Sequence, residues 1–342
     1  MKRKTVSITD VALAARVSAS TVSRCLNGSS QVSEETRERI SRIAEDMGFS
    51  YSKPYGYGEY SNTVGIILPD NYASFNINLY HNMLLNNLRF TLEKDKYDLL
   101  VSFKENHFHN SNNVVSIARK RKVDGFIFLQ YSLDTEVHNV LKETGIPFVF
   151  SHYPPGQQTQ HENVIYVNHR VGGKLMAEHF IERGYTRIII ASSFARTSEY
   201  NQRINGFIDT FTSSGLEIDE KNILRGDFSY ESGVMLVEEN LNLFKKVRAV
   251  FAMNDVMAYG IIRALKNKGL RIPQDIAVAG YDDTELSYMS DPSITTIHQP
   301  KEEIARLTCE RLLYLIEMKK QNKRVPNQLI SVEPGIVLRD ST

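Results

Sequence analysis

Two different hydrophobic patterns divide the chain. In residues 7–49, apolar side chains recur every three or four positions, which is typical of short amphipathic helices. From residue 64 onward, short runs rich in β-branched and aromatic residues alternate with amphipathic stretches. The pattern therefore predicts a small all-α segment followed by a larger α/β domain with parallel, doubly wound sheets and covering helices.

The first segment predicts three short helices. Ser7 and Asp10 have the spacing of a capping box at the start of a helix. Ser18 is a favourable N-cap for the next one, and Ser33 opens the third. The predicted helices occupy about residues 8–15, 19–26 and 33–48. Together they form one small core.

The second of these helices has the features of one that enters the major groove of DNA. It follows the first after a short turn, which forms a helix-turn-helix unit. Hydroxyl groups at its N-terminus can bind phosphate oxygens, and Arg24 can contact guanine through two hydrogen bonds. The residues that the spacing places on this surface are Ser18, Ala19, Ser20, Thr21 and Arg24. The ordinary alternatives are a solvated Arg24 and hydroxyls that only cap the helix.

The charge distribution supports a local nucleic-acid site. The whole chain has a formal net charge of only +1, which argues against nonspecific coating of nucleic acid. The first 44 residues, however, contain eight basic and four acidic side chains, so a basic head precedes a slightly acidic body. Such a head most often contacts phosphates.

Several other classes of protein are not indicated. Cys25 and Cys309 lie far apart and form no CxxC or Cys/His motif, which fits a reducing cytoplasm and predicts no metal. The N-terminus has no apolar export region, and no apolar run approaches the roughly 18 residues that span a bilayer. His107, His109 and His161 lack metal-ligand spacing and are expected at the surface. No nucleophile elbow, P-loop or HExxH motif suggests an enzyme or a cofactor.

Short motifs in residues 7–49 match one known pattern. They occupy residues 10–12, 17–18, 21–24 and 26–28, and the pattern reads approximately DVAxxAGVSxxTVSRxLNG. The segment closely resembles the helix-turn-helix head of the lactose-repressor family of bacterial transcription regulators. The resemblance implies that Ala19 and Ser20 are the main base discriminators. It adds Ser23 and Asn27 to the DNA-binding set of Ser18, Thr21 and Arg24.

Two departures from the family pattern affect the DNA-binding part. Arg16 replaces the usual glycine, which predicts a slightly different turn or an extra phosphate contact. Relatives usually have a hinge helix whose leucine wedges into the minor groove, but residues 50–63 read SYSKPYGYGEYSNT. A proline inside a helix costs about 3 kcal/mol and a glycine about 1, so a hinge helix is disfavoured. Either Tyr55 or Tyr57 acts as the wedge, or operator bending is weaker; a plain flexible tether is the third alternative.

The body resembles the family's effector domain, which is similar to a type I periplasmic binding protein with two lobes around a cleft. The expected organisation is a helix-turn-helix domain at 1–49, a linker at 50–63 and an effector-binding and dimerisation domain at 64–342. Lobe one is expected at about 64–165 and 294–325, and lobe two at about 166–293 and 326–342.

Polar residues at the carboxyl ends of the predicted strands are candidate ligand contacts, because ligands of such sheets bind there. Carboxylate, amide and guanidinium groups can each engage two vicinal hydroxyls, which suggests a sugar. The candidates are Gln130, His152, Arg203, Phe228, Asn254, Asp282 and Gln299. The resemblance supports Arg203, Asn254, Asp282 and Gln299, whereas His152 stands where relatives often have aspartate. Asp255 and Asp283 are expected to be N-caps instead, and Phe228 is as well suited to the core as to stacking on a sugar.

The sequence thus predicts a cytoplasmic, homodimeric repressor that a sugar or sugar phosphate releases from operator DNA. The C-terminus has no leucine heptads of the kind that join dimers into tetramers. A second interpretation keeps the fold but makes the effector a corepressor, such as a purine or a phosphoprotein. A sugar-binding receptor without DNA is a third, and an enzyme on the same scaffold is a fourth. No membrane partner is expected.

Overall fold

The computed structural model describes residues 6–26, 32–47, 49, 60–68, 79–103, 105–106, 111–129, 133–152, 161–194 and 198–342. The chain divides into two compact units. The first contains residues 1–61 with 120–122, and the second contains residues 62–119 with 123–342. Their helices, in chain order, are α1 (Ile8–Ala15), α2 (Ala19–Leu26), α3 (Glu34–Asp46), α4 (Leu79–Lys94), α5 (Asn113–Arg119), α6 (Thr135–Thr144), α7 (His169–Glu182), α8 (Ser198–Ser213), α9 (Tyr230–Phe244), α10 (Asp255–Asn267), α11 (Glu285–Met289) and α12 (Lys301–Lys320).

The strands follow the predicted apolar runs and add short ones between them. In chain order they are β1 (Thr63–Leu68), β2 (Asp98–Phe103), β3 (Glu105–Asn106), β4 (Ser111–Asn112), β5 (Gly125–Phe128), β6 (Phe148–His152), β7 (Val164–Val167), β8 (Ile188–Ser193), β9 (Ile223–Gly226), β10 (Ala249–Ala252), β11 (Ala277–Ala279), β12 (Thr296–His298), β13 (Leu329–Val332) and β14 (Gly335–Val337).

The helices of the first unit begin and end where the sequence indicates. Ser7 and Asp10 form the predicted capping box, since each side chain accepts from the other's backbone N–H. Val11, Val22 and Ile40, one from each helix, are fully buried and form the centre of a small core. The predicted bounds of α1 and α2 are confirmed, whereas the residues predicted to close α2 and α3, 27–28 and 48, lie outside the described residues.

Arg16 ends α1 in a left-handed backbone conformation, with φ of 54°. Its N–H donates to the carbonyls of Ala12 and Leu13, and the N–H of Val17 donates to Ala12 as well. Glycine adopts this conformation without a steric penalty, while a side chain costs about 1–2 kcal/mol. The turn therefore keeps a geometry that suits glycine and carries arginine at the cost of local strain.

The second unit contains two parallel sheets, each covered by helices. The first sheet has the strand order β13-β7-β6-β5-β1-β2, and the second has the order β11-β10-β8-β9. Every pairing within these two sheets is parallel. In the second lobe, α7 packs on α8 and α9 packs on α10. The predicted fold class, an all-α head followed along the chain by an α/β domain with two parallel sheets, is confirmed.

The end of the chain does not follow the predicted lobe boundaries. The expectation assigned residues 326–342 to lobe two, but β13 extends the edge of the first sheet by pairing with β7. It also assigned residues 294–325 to lobe one. There α12 does pack on the first sheet, while β12 pairs with β14. Thr295, just before β12, and His298 bridge to Ala279 and Asp282 of the second lobe. The physical reason is that a short strand joins whichever sheet edge offers free hydrogen-bonding groups.

None of the helices in the described ranges has the length and apolar character needed to cross a bilayer.

Replacing Arg16 by glycine should stabilise the first unit, because glycine removes the steric penalty at φ of 54°. We expect a gain of about 1 kcal/mol, seen as roughly fivefold slower amide hydrogen exchange in α1 and α2 of the full chain. Arg16→Ala is the matched control, since it removes the charge but keeps the side-chain strain. Equal exchange in the wild type and the glycine variant would contradict the strain argument.

Candidate ligand-binding cleft and nucleic-acid interface

The N-terminus of α2 is a cluster of hydroxyl groups. The Ser18 Oγ accepts from the N–H of Thr21 at 3.1 Å and lies 2.8 Å from both the Ser20 Oγ and the Thr21 Oγ1. Ser18 thus caps the helix, as expected, while Ala19 and Ser20 are exposed. The free backbone N–H groups of this helix end and its hydroxyls are suited to phosphate oxygens.

Arg24 extends the same exposed surface by one helical turn. It forms no ion pair or hydrogen bond with any residue that the structure describes, whereas Val22 and Cys25 on the opposite side of α2 are buried. Thr21 and Ser23 are half-buried between the two sides. The predicted contact residues therefore share one side of α2. Asn27 and the predicted minor-groove wedge residues Tyr55 and Tyr57 lie outside the described residues, so these assignments stay predictions.

Arg37 is a basic residue of the head with a structural function that the charge count did not reveal. Its Nη1 donates to the carbonyl of Cys25 at 3.1 Å, and its Nε lies 3.6 Å from the Glu34 carboxylate. The Cys25 thiol in turn donates to the Arg37 carbonyl. This exchange fixes α3 to the end of α2, and the excess positive charge at the surface is correspondingly smaller.

The cleft of the second unit is organised around the buried guanidinium of Arg203, which is 3% exposed. Its Nη1 donates to the Met253 carbonyl at 2.6 Å and lies 3.7 Å from the Asp282 Oδ1. Its Nε donates to the His169 Nδ1 at 3.4 Å, and its Cζ lies 3.8 Å from the centroid of the Tyr281 ring. Arg203 thus joins α7, α8 and the strand ends of the second sheet.

Two glycines allow the backbone to hold Arg203 in this place. A Cβ on Gly173 of α7 would lie 2.0 Å from the Arg203 carbonyl oxygen, and a Cβ on Gly206 of α8 would lie 2.0 Å from the Arg170 carbonyl oxygen. Any side chain there would force α7 and α8 apart. The Gly172-Gly173 pair in the sequence therefore serves close helix packing.

Asp282 lies directly opposite Arg203. Its Oδ1 accepts from the Gln299 Nε2 at 2.6 Å, and its backbone has a φ of 112°. Lys301 holds this strained backbone, since its Nζ donates to the Asp282 carbonyl at 2.7 Å and to the carbonyls of Asp283 and Gln299 at 3.2 Å. Burial raises the pKa of the Asp282 carboxyl despite the nearby Arg203 and Lys301.

His152 brings the first lobe into the same cleft from the end of β6. Its ring centroid lies 4.6 Å from that of Tyr80, 5.3 Å from His81 and 5.9 Å from His169. Its Nε2 lies 3.8 Å from the Glu199 Oε2. Burial lowers the pKa of His81, His152 and His169, so these imidazoles are neutral. No cluster of three metal-ligating side chains occurs in the described part of the chain.

Glu199, Tyr80, His81, His169 and Lys301 belong to the cleft but were not predicted. A signal existed only for Glu199, which precedes Arg203 by four residues and therefore lies on the same side of α8. Glu199 is 3% exposed, and burial raises its pKa to about 7 against the lowering effect of Arg203.

Several buried polar atoms in the cleft have no hydrogen-bond partner among the described residues. They are the Tyr80 Oη, the His169 Nε2, the Glu199 Oε2 and the Gln299 Oε1. A buried polar group without a partner costs about 1–3 kcal/mol, and proteins rarely leave several in one place. They come from α4, α7, α8 and the segment before α12, so a ligand that satisfies them contacts elements of both lobes.

Asn254 and Phe228 form a separate pair beside this cluster. The Asn254 Oδ1 caps α10 by accepting from Met257 N–H at 2.9 Å, and its Nδ2 donates to the Phe228 carbonyl at 3.0 Å. The Phe228 ring lies 4.4 Å from the Tyr200 ring, which in turn faces Arg203. Both predicted residues are therefore placed next to the cleft with structural contacts of their own. Gln130 lies outside the described residues.

The expectation that Asp255 and Asp283 cap helices is wrong. The N-cap of α10 is Asn254 and that of α11 is Thr284. Asp255 is fully buried and accepts from the Thr284 N–H at 2.8 Å and from the Thr296 hydroxyl at 2.6 Å. The Asp283 carboxylate instead pairs with His298 at 2.8 Å and Arg339 at 2.6 Å. In both cases an adjacent residue, Asn254 or Thr284, occupies the N-cap position.

Three histidines were expected to lie at the surface. His161 is exposed, whereas His107 and His109 lie outside the described residues.

Comparisons with known proteins agree with this architecture. A family model described as bacterial regulatory proteins, lacI family, matches residues 7–52, and a periplasmic binding protein-like domain matches residues 177–342. Two similar proteins are a transcriptional repressor, PurR, of Aliivibrio salmonicida, 29% identical over 338 residues, and a transcriptional regulator, CelR, of Thermobifida fusca, 28% identical over 317 residues. The alignments cover 98% of this chain and 98% of the PurR chain, and 91% and 93% for CelR.

Solved structures of the same kind are also similar. A complex of the regulator CelR with cellobiose has a TM-score of 0.73 and 26% identity, and covers 98% of this chain and 100% of its own. A lac repressor dimer bound to operator and an anti-inducer has a TM-score of 0.69 and 26% identity, with 99% of each chain covered. The chain therefore combines a helix-turn-helix domain of the lacI family of bacterial regulatory proteins with a periplasmic binding protein-like domain. It is thus a DNA-binding transcription regulator with a domain for a small-molecule effector.

The buried carboxyl of Glu199 should make the stability of the effector domain depend on pH. Its pKa of about 7 in the folded chain lies above the ordinary value of 4.5, so the folded state favours the protonated form. The stabilisation is complete below the ordinary pKa and is lost as the pH rises through about 7. We expect the unfolding temperature to fall between about pH 5 and pH 8, and Glu199→Gln to reduce that fall.

Glu217→Gln, at an exposed position on the same lobe, is the control and should leave the pH profile unchanged. If the wild type and Glu199→Gln lose stability equally over this range, Glu199 is not a protonated group in the folded state.

Proposed function

We propose that this chain is a homodimeric repressor which binds operator DNA through α2 and is released when a sugar occupies the cleft between the two lobes. The observation that carries the proposal is the set of buried polar atoms without partners on α4, α7, α8 and the segment before α12. The proposed repressor works in the cytoplasm, where the operator is accessible.

The chemistry of the cleft favours a hydroxyl-rich ligand. A sugar hydroxyl both donates and accepts, so one ligand can satisfy the amide oxygen of Gln299, the carboxylate of Glu199 and the phenol of Tyr80 together. Asp282 and Arg203, the predicted contacts, are aligned by their other partners and present fixed groups to a ligand. The neighbour CelR, whose structure contains cellobiose, has the same fold.

The position of the cleft explains how a ligand changes DNA binding. Tyr80 and His152 belong to elements of the first lobe, and Arg203 and Glu199 belong to the second. A sugar that contacts both sides stabilises one arrangement of the lobes over another. It shifts the equilibrium only by the difference between its affinities for the two arrangements.

The DNA-binding part supplies direct base contacts from one exposed side of α2. Ala19, Ser20 and Arg24 reach base edges, while Ser18 and Thr21 bind phosphates. The predicted wedge residues Tyr55 and Tyr57 remain a proposal, with a weak hinge as the favoured form. A dimer places two copies of α2 on the half-sites of a twofold operator.

The dimer surface that we propose lies at the edge of the first sheet. Strand β2 is the last of that sheet, and Val101 and Phe103 are exposed on the side that also carries Leu99, which packs on the core shared with α4. Phe90 is 54% exposed on α4, the helix that packs on β2. Exposed apolar side chains on the edge strand of a sheet, as β2 is among the described residues, favour contact with a second copy.

A corepressor is the second candidate, because the PurR relatives are named as repressors and match nearly the whole chain. A purine or a phosphoprotein would then tighten operator binding. Titrating sugars and purines against operator binding distinguishes the two by sign. The proposal requires weaker binding with a sugar, and tighter binding with a purine would support the alternative.

Arg24→Ala should weaken operator binding by about 1–3 kcal/mol and relax the sequence preference at one base pair. The reason is the loss of two hydrogen bonds to a guanine. Competition among duplexes that differ at single positions measures it. Arg42→Ala, an exposed basic residue on α3, removes the same charge and should weaken all duplexes alike. Unchanged sequence preference in Arg24→Ala would remove this residue from base readout.

Asp282→Asn should leave operator binding intact and remove the response to the effector. A hydrogen bond to a charged group contributes about 1.5–3 kcal/mol, so the sugar should bind roughly 10- to 100-fold more weakly. Operator release is titrated with each sugar that raises the unfolding temperature of the wild type. Asp95→Asn, at an exposed position, is the control. A normal response in Asp282→Asn would place the ligand elsewhere.

A further inference from the structure

The buried hydrogen-bonding groups of the cleft can be assigned as donors or acceptors. His169 accepts at Nδ1 from the Arg203 Nε, and a guanidinium can only donate. Because burial keeps this imidazole neutral, its proton is on Nε2, the atom that has no partner. The cleft therefore offers an N–H donor at the His169 Nε2 and a phenol hydroxyl at Tyr80. It also offers two acceptors, the Gln299 Oε1 and the Glu199 Oε2.

The two carboxyl groups of the cleft, Asp282 and Glu199, share one guanidinium. One guanidinium, Arg203, serves both Asp282 and Glu199, and the ammonium of Lys301 is occupied by three backbone carbonyls. Within the described residues, no other cation faces Glu199 from the elements packed around it. The imidazole beside it is that of His152, which burial keeps neutral and whose Nε2 lies 3.8 Å from the Glu199 Oε2.

We propose that Glu199, positioned beside His152, is the specificity-determining residue of the cleft and restricts the effector to sugars without an anionic group. This inference rests on the proposed function. A phosphate or carboxylate in the cleft would add a negative charge next to two carboxylates, and like charges that face each other in a buried site are strongly unfavourable. A hydroxyl of an uncharged sugar instead donates to the free Glu199 Oε2.

Binding should release a proton as a consequence of this contact. Burial keeps part of the Glu199 carboxyls protonated near pH 7. The groups that face it are His152 on β6, Tyr80 on α4, Tyr200 and Arg203 on α8, and Tyr281 and Asp282 after β11. His81, His169 and Lys301 act in turn on His152. A donated hydrogen bond from the ligand favours the ionised form and lowers the pKa, so part of a proton leaves the protein.

The test compares matched pairs of sugars on the full-length protein. Glucose, cellobiose and ribose are titrated calorimetrically beside glucose 6-phosphate, cellobiose 6-phosphate and ribose 5-phosphate, at pH 7 in two buffers that differ in ionisation enthalpy. We expect at least one uncharged sugar to bind at least about tenfold more tightly than its phosphate. Its binding should release a fraction of a proton.

Glu199→Gln should abolish the proton release and reduce the ratio of the affinity for the uncharged sugar to that for its phosphate. Glu217→Gln should change neither. The proton release of the wild type tests the inference even if the glutamine variant does not fold. A phosphate that binds as tightly as its parent sugar, or binding without proton release, overturns the inference and leaves the proposed function standing. If no sugar or sugar phosphate of the panel binds, the proposed sugar-responsive function itself is contradicted.

Discussion

The cleft depends on the buried contact between Arg203 and Asp282. A guanidinium that is 3% exposed is tolerable only with partners on several sides, and here a carbonyl, an imidazole, an aromatic ring and a carboxylate supply them. The close packing of α7 on α8 at Gly173 and Gly206 brings the backbone of Arg203 against α7. On the other side, Lys301 and Gln299 hold Asp282 in a backbone conformation that few residues adopt.

Buried polar atoms without partners destabilise the same region, at the positions where we propose that a ligand binds. Glu199, Gln299, Tyr80 and His169 each bury a polar atom without a partner among the described residues, although the remainder of each side chain is packed. Such a cost is consistent with a site that is completed by its ligand. A ligand that gives these atoms hydrogen-bond partners contacts both lobes, so its binding can be coupled to the arrangement of the lobes.

Local rules predicted the elements well and the cleft only in part. The capping box at Ser7 and the N-cap at Ser18 located α1 and α2, because caps are decided by residues three positions apart. Arg203, Asp282, Gln299 and His152 were predicted from strand ends and motifs, and the structure brings them together. Tyr80, His81 and His169 could not be predicted, since their proximity depends on how helices of two lobes face each other.

Other differences have similar causes. Asp255 and Asp283 were expected to cap helices, but the backbone placed the cap one residue away and left their carboxylates to bind threonines, a histidine and an arginine. Arg37 was counted as surface charge, although it binds the end of α2. The assignment of β13 to the second lobe was wrong because a four-residue strand carries no pattern that selects its sheet.

The central claim is that an occupied cleft and a bound operator oppose each other energetically. The most direct measurement is the affinity of the full-length protein for an operator duplex with and without saturating sugar, together with its affinity for that sugar with and without the duplex. Linkage requires both affinities to fall by the same factor, roughly 5- to 150-fold. A sugar that binds in the cleft while both affinities stay unchanged would contradict the account.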